Sequence, residues 1–239
     1  MPPVPSSPIR LAVFVAGTND PSNSDMLADR FIEGIRSAGQ MIVEKVRMRD
    51  LDLAHFTLAQ YGDARQEPDF LRVRALMEAA DGVAFFSPVW NFSVPAHFKN
   101  FIDRIGAFGL DQATHSKGQF RGKPFAFVFA GGAPMIAWKA LMYLTTLHVA
   151  EAIKYYGGSV VYRHFEPRCI PGRGRFGLVV DQRPATLKAM EQAGKRFASI
   201  ARQYASNGSL PGSLRLWKWF FTQFYRIGNR VLYPISARQ

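Results

Sequence analysis

Five short apolar runs punctuate the chain, and each but the last gives way within a loop's length to residues at helical spacing. Ile9 to Ala16, Gly82 to Ser87 and Phe125 to Ala130 are almost unbroken, as expected of strands covered on both faces. Met41 to Val46 carries charge and is expected at a more exposed place, and Ser159 to Tyr162 is a short fifth strand. Between them, Asp25 to Ala38 sets Met26, Leu27, Phe31 and Ile35 at helical spacing and stops at Gly39. Asp69 to Ala80 does the same with Phe70, Val73, Leu76 and Met77. Further helices are predicted over Ala96 to about Phe108, over Ile136 to Tyr156 and over Ala185 to Ala205, whereas Arg47 to Pro68 is irregular. Strands alternating with helices predict an α/β fold, a doubly wound sheet of five parallel strands with helices on both faces.

Composition narrows the classes. With 48% hydrophobic and 20% charged residues in 239, the chain can bury a real core. A formal charge of +12 favours anionic partners, yet it serves solubility equally well, and no nucleic-acid partner is expected. The single cysteine, Cys169, excludes an internal disulfide and a Cys-based metal centre. The five histidines (55, 97, 115, 148 and 164) show no ligand spacing, so no metal is expected. The long uncharged stretch Pro124 to Trp138 has 15 residues, short of the ~20 needed to span a bilayer. Residues 1–8 lack the charged and apolar regions of a signal peptide and are expected as a flexible tail, 9–206 as the folded domain and 207–239 as an extension. The expected setting is cytoplasmic.

In such sheets ligands sit beyond the carboxyl ends of the strands, where the strand order reverses. The loop after the first strand (GTNDPSNS) turns at Gly17. It sets Thr18, Ser22, Asn23 and Ser24 beside a helix N-terminus, a place for a phosphate or simply a capped turn. It is neither a Walker loop nor a dinucleotide fingerprint. The loop after the third strand, Ser87 to Ala96, places Pro88, Val89, Trp90, Asn91 and Phe92 between two prolines expected to fix an extended path. That set suits a flat heteroaromatic ring with polar edges, or a connection whose aromatics join the core. Gly131 and Gly132 follow the fourth strand, in the third loop at that end of the sheet.

SPVWNFSVPAHFKNFIDR (87–104) closely resembles the flavin-ring loop of the NAD(P)H-dependent FMN reductases, azoreductases and quinone reductases. GTNDPSNSDMLA (17–28) is similar to their phosphate loop, with Asp20 where a basic residue is common, and 130–133 to their third flavin loop. The resemblance implies a flavodoxin-like sheet of order 2-1-3-4-5 and FMN as cofactor. It further implies NADPH or NADH as co-substrate, hydride transfer to a small-molecule electron acceptor (a quinone, an azo or nitro compound, or free flavin), and a homodimer. Thr18, Ser22, Asn23 and Ser24 would hold the phosphate; Pro88 to Phe92 would frame the ring; Gly131 and Gly132 would reach its edge. No protein nucleophile is required.

Two segments stand apart. Loop 163–183 carries Arg163, Arg168, Arg173 and Arg175, a solvated basic loop or a receiver of anionic groups, with Arg168 flanking the Cys169 thiol. Within 213–232, Leu214, Trp217, Phe221, Phe224, Gly228 and Val231 share one helical face and basic residues another. That pattern fits peripheral contact with the inner face of a membrane, or a protein interface. A flavodoxin-like electron carrier and a flavin-free scaffold or membrane adaptor remain the alternatives to a flavoenzyme.

Overall fold

The computed structural model describes residues 8–61, 67–113, 115 and 118–210, so the amphipathic segment 213–232 lies outside the described residues. Strands β1 (Ile9–Val15), β2 (Met41–Arg47), β3 (Gly82–Pro88), β4 (Pro124–Ala130) and β5 (Ser159–Glu166) form one parallel sheet in the order β2-β1-β3-β4-β5. The flavodoxin-like order is as expected. Its register sets Val15 opposite Phe86, and Pro88 opposite Ala130. The carboxyl ends of β1, β3 and β4 therefore stand side by side at the point where the strand order reverses.

The two faces of the sheet are built differently. One presents Phe14, Phe85, Phe125, Phe127 and Phe129 to helices α2 (Pro68–Ala79), α3 (Ala96–Gly109) and α5 (Tyr143–Tyr155). The other presents smaller residues, among them Val13, Val15, Ala84, Ala126 and Val128, to α1 (Asn23–Ser37) and α6 (Pro184–Asn207). Packed on this thinner layer, α1 and α6 meet backbone to backbone. A Cβ on Gly34 would lie 1.9 Å from the Glu191 carbonyl oxygen, and one on Gly194 2.0 Å from that of Phe31. Only glycine allows that approach.

Two elements differ from expectation. β5 runs on to Glu166, past Tyr162, because Arg163 and His164 occupy an edge strand where polar side chains are tolerated. The helix expected over Ile136 to Tyr156 starts as a short turn, α4 (Met135–Ala137), and passes through a π-helical turn, Trp138–Met142, before α5. Trp138 stacks on Phe165 at 4.7 Å and donates through Nε1 to Thr146 Oγ1 (3.0 Å), which donates to the Met142 carbonyl (2.7 Å). The widened turn buries Trp138 and leaves Ile136, Leu141 and Leu144 exposed at 78, 66 and 81%.

The irregular stretch before α2 is held by α3. Arg104 is 1% exposed, lies over the Phe70 ring, pairs with Glu67 and donates to the Ala54 carbonyl. Asn100 accepts from Phe56 N and donates to Ala54 O. Among the described residues no helix is long and apolar enough to cross a membrane.

Candidate functional site

After β1 the chain turns at Gly17 and enters α1 through Ser22, whose extended backbone makes it the N-cap. Its Oγ accepts from Asp25 N at a long 3.4 Å. A Cβ on Gly17 would lie 2.3 Å from that Oγ, so glycine lets the serine fold over the turn. Among the described residues, the amides of Gly17, Thr18, Asn19, Ser22, Asn23 and Ser24 find no hydrogen-bond partner. Converging unpaired N–H groups at a helix N-terminus attract an anion through partial charge and geometry together.

Arg49, in the short helical turn Met48–Asp50 after β2, braces this loop from outside. Its guanidinium donates to the Thr18 carbonyl (3.0 Å) and pairs with Asp20 (3.3 Å). The Asp20 carboxylate is thus turned outward and offset by a cation from the turn beyond β2. His97 reaches from α3 to the Ala16 carbonyl at 2.9 Å.

The loop after β3 is not extended. Val89 N continues the ladder to Ala130 O (2.8 Å), then Trp90 and Ser93 exchange two backbone bonds around Asn91 (φ 47°) and Phe92 (φ 67°). Two consecutive positive φ values describe a tight reverse turn of the I′ kind. Its tip is fastened to α5: Ser93 Oγ donates to Thr145 O (2.6 Å) and Thr145 Oγ1 to Phe92 O. Pro88, Val89 and Trp90 consequently line a cleft with the first loop, whereas Asn91 and Phe92 stand outside it, Phe92 61% exposed.

After β4, the Gly131 amide donates to Glu166 O (3.0 Å), and its carbonyl accepts from Cys169 N (2.8 Å). That N–H, expected to face a ring edge, is taken up by β5. The Gly132 amide has no partner among the described residues and still borders the cleft.

The fourth wall was not expected. Residues 167–183 form a strap that brings Cys169, Ile170, Phe176 and Gly177 against the three loops. At its base, buried Glu166 accepts from Arg183 (2.7 Å) and Thr186 (3.1 Å) and lies 3.1 Å from His164 Nε2. Burial would raise this carboxyl, but hydrogen bonds from His164, Arg183 and Thr186 outweigh it and hold the group below the usual carboxylate range. Arg183 also donates to the Pro167 and Arg168 carbonyls. Burial pushes the Cys169 thiol up to about 12, so Arg168 does not activate it and the thiol stays neutral. Arg163, in the edge strand β5, and Arg168, Arg173 and Arg175, in the strap, are all exposed; the apolar residues interleaved with the last three make the wall.

Asn23 ties the strap to α1. Its Nδ2 donates to Gly177 O (2.9 Å) and Cys169 O (3.4 Å), and its Oδ1 accepts from Val179 N (2.9 Å) and Val180 N (3.1 Å). Thr18, Ser22 and Ser24 line the cleft, whereas the Asn23 side chain is fully engaged by the strap. Among the described residues no group of three metal-ligating side chains occurs. The cleft therefore offers an anion cradle at one end, and a flat apolar wall and an unpaired amide at the other.

The sequence matches the family model for NADPH-dependent FMN reductase over residues 9–161. It is 26% identical over 126 residues to an FMN-dependent NADH:quinone oxidoreductase of Pseudoalteromonas atlantica, covering 46% of this chain and 62% of that one. It is 29% identical over 129 residues to a protein of the same description from Bordetella bronchiseptica, covering 47% and 60%. The chain thus spans 60 to 62% of the length of these curated relatives. Among solved structures, an NAD(P)H:quinone oxidoreductase from Methanothermobacter marburgensis aligns with a TM-score of 0.61 at 18% identity, over 80% of this chain and 96% of that one. An FMN-dependent NADH-azoreductase from Bacillus anthracis in complex with FMN aligns at 0.58 and 15%, over 79% and 99%. At such identities the structural likeness is one of fold.

Proposed function

Because this chain belongs to the NADPH-dependent FMN reductase family, we propose that its cleft holds FMN and that the protein is an NAD(P)H oxidoreductase acting on a small electron acceptor such as a quinone. One observation carries the reading: the unpartnered amides of the Gly17–Ser24 loop and the unpartnered Gly132 amide border the same cleft, with Trp90 between the strand ends. A ligand with a phosphate at one end and a flat ring with polar edges at the other satisfies both.

The residues present fit the cofactor. Thr18, Ser22 and Ser24, with the loop amides, would hold the phosphate; Pro88, Val89 and Trp90 would frame the ring, and Gly132 would donate to its edge. Bound FMN supplies two-electron chemistry between a nicotinamide and an acceptor. The protein's part is to bind, orient and shield: Arg49 sets the phosphate loop, the turn at Trp90–Ser93 fixes the ring wall, and the strap excludes water from one side. The neutral Cys169 takes no covalent role. Quinones, azo or nitro compounds and free flavin are the acceptor classes to screen.

The protein functions as a homodimer in this reading. Ile136, Leu141 and Leu144 form an exposed apolar stripe, with Phe92 beside it, its carbonyl bonded by Thr145, and a single charge, Lys139. Contiguous apolar surface of that kind is what a subunit interface covers.

The test is an absorption spectrum after incubation with FMN and desalting, then NADPH added anaerobically. Bands near ~450 nm that bleach on NADPH are expected of protein-held flavin. A protein that stays colourless overturns the flavin reading, and retained flavin that NADPH and NADH both leave oxidised points to the electron carrier.

A further inference from the structure

An asparagine side chain has two N–H donors and one oxygen with two acceptor sites. Asn23 uses all of them on backbone groups of the strap, 146 to 157 positions away in the chain. It is the first residue of α1, between Ser22 and Ser24, and its own amide is among the unpartnered N–H groups of the cradle. One residue therefore contributes its backbone to the anion site and its side chain to the wall that covers it.

We propose that Asn23 is a positioning residue, a latch that holds strap 167–183 across the cleft, and that the latched strap sets how long FMN is retained; the second half rests on the flavin reading above. The strap is otherwise fixed at its two ends: Arg168 N donates to Ala133 O and Cys169 N to Gly131 O, Arg183 joins Glu166 to the Pro167 and Arg168 carbonyls, and Cys169 and Val180 are buried in the core. Between those ends the middle of the strap has little packing on the rest of the fold: Phe176 is exposed, and a Cβ added at Gly172 or Gly177 would meet only other strap atoms. What it covers is well defined. Ile170 stands over Gly132, with its Cδ1 and Cγ2 3.1 Å from where a Cβ would be, and Gly177 lines the phosphate end. Releasing Asn23 would loosen the arm around Phe176 and Gly177, up to the point where Val180 enters the core, and leave the cradle amides in place.

The chemistry of the four contacts dictates the variants. Asn23→Ala removes all four bonds without adding charge. Asn23→Asp keeps the acceptor for Val179 and Val180 but sets a carboxylate against two carbonyls. Ser22→Ala alters the cradle without touching the strap. Hydrogen exchange at Val179 and Val180, and tryptic cleavage after Arg168, Arg173 and Arg175, are followed in flavin-free protein; the FMN dissociation rate is followed in the loaded protein.

In Asn23→Ala, exchange and cleavage in the strap should each quicken roughly tenfold or more, the scale of several lost hydrogen bonds, with global unfolding little changed. FMN should leave faster by a comparable factor. Asn23→Asp should loosen the strap as well, whereas Ser22→Ala should speed FMN loss with strap exchange unaltered. Wild-type exchange and cleavage in Asn23→Ala would overturn the latch. Faster FMN loss from Asn23→Ala with an unaltered strap would overturn it in favour of direct phosphate contact. If wild-type protein binds no FMN, the flavin reading and the retention claim fail together, while the exchange arm alone decides the latch.

Discussion

The Arg104–Glu67 pair gives stability a pH dependence that can be worked through. Hydrogen bonds from Arg104 hold the Glu67 carboxyl from its ordinary 4.5 down to about 2. At ~1.4 kcal/mol per tenfold in proton affinity, that displacement is roughly 3 kcal/mol. Glu67 keeps 26% of its side chain exposed, so solvent screening brings the working figure to about 2 kcal/mol. A carboxyl depressed by folding stabilises the fold above its unfolded pKa. The contribution is whole at neutral pH and is lost as pH falls from about 4.5 towards 2. Glu67→Gln keeps shape and removes the titration, leaving a guanidinium that is 1% exposed without its counter-charge. At pH 7 the variant should lose about 3 kcal/mol, the range for breaking a buried pair. The assay is urea unfolding of both proteins from pH 7 to pH 3. The gap should narrow towards pH 3 because only the wild type has a Glu67 carboxylate to protonate. A gap that stays constant across that range would falsify the assignment of this linkage to Glu67.

Three further outcomes are expected. Gly194→Ala forces a Cβ to 2.0 Å from the Phe31 carbonyl oxygen, a backbone atom that cannot rotate aside; thermal unfolding should show a loss of about 2–3 kcal/mol. In Gly17→Ala the clash is with the mobile Ser22 hydroxyl at 2.3 Å, so stability should change by about 1 kcal/mol while fluorescence titration shows FMN bound roughly tenfold more weakly. Leu144→Glu charges the exposed stripe and should turn a dimer into a monomer by light scattering; an unchanged mass would remove this face from the interface.

Most of the sheet was legible because its strands are covered on both faces. Runs such as Phe125 to Ala130 are apolar throughout, and no helix-forming period competes with them. β5 runs four residues past its apolar start because an edge strand carries polar residues at Arg163 and His164. At the site, the loop after β1 was legible from Gly17 and its hydroxyls, since capping chemistry is local. The position of Asn91 and Phe92 outside the cleft was not legible for the opposite reason. Their positive φ values belong to a turn that neither proline announces, and a turn pinned to Thr145 depends on a residue more than 50 positions away. The strap's share in the cleft was hidden because four arginines dominate its composition and mask Cys169, Ile170 and Phe176. Arg49 had no local signal, lying 29 residues from the Asp20 it offsets.

The glycine-mediated contact of α1 with α6 also bears on the order in which the molecule can be completed. α1 is the first helix and α6 the last of the described residues, and Arg202 of α6 donates to the Ala38 carbonyl at the end of α1, 164 positions away. A chain emerging from the ribosome can pair β1, β2 and β3 early. The side of α1 bearing Phe31 and Ile35 nevertheless stays open until α6 arrives to cover it. Once α5 has been made, the nascent sheet therefore has one finished side and one adhesive side until α6 emerges. Contacts this distant in sequence slow folding and lengthen exposure to aggregation. Yield in the cell should thus respond more sharply to chaperone supply, and to substitutions along the α1–α6 seam, than the equilibrium stability of the finished protein would suggest.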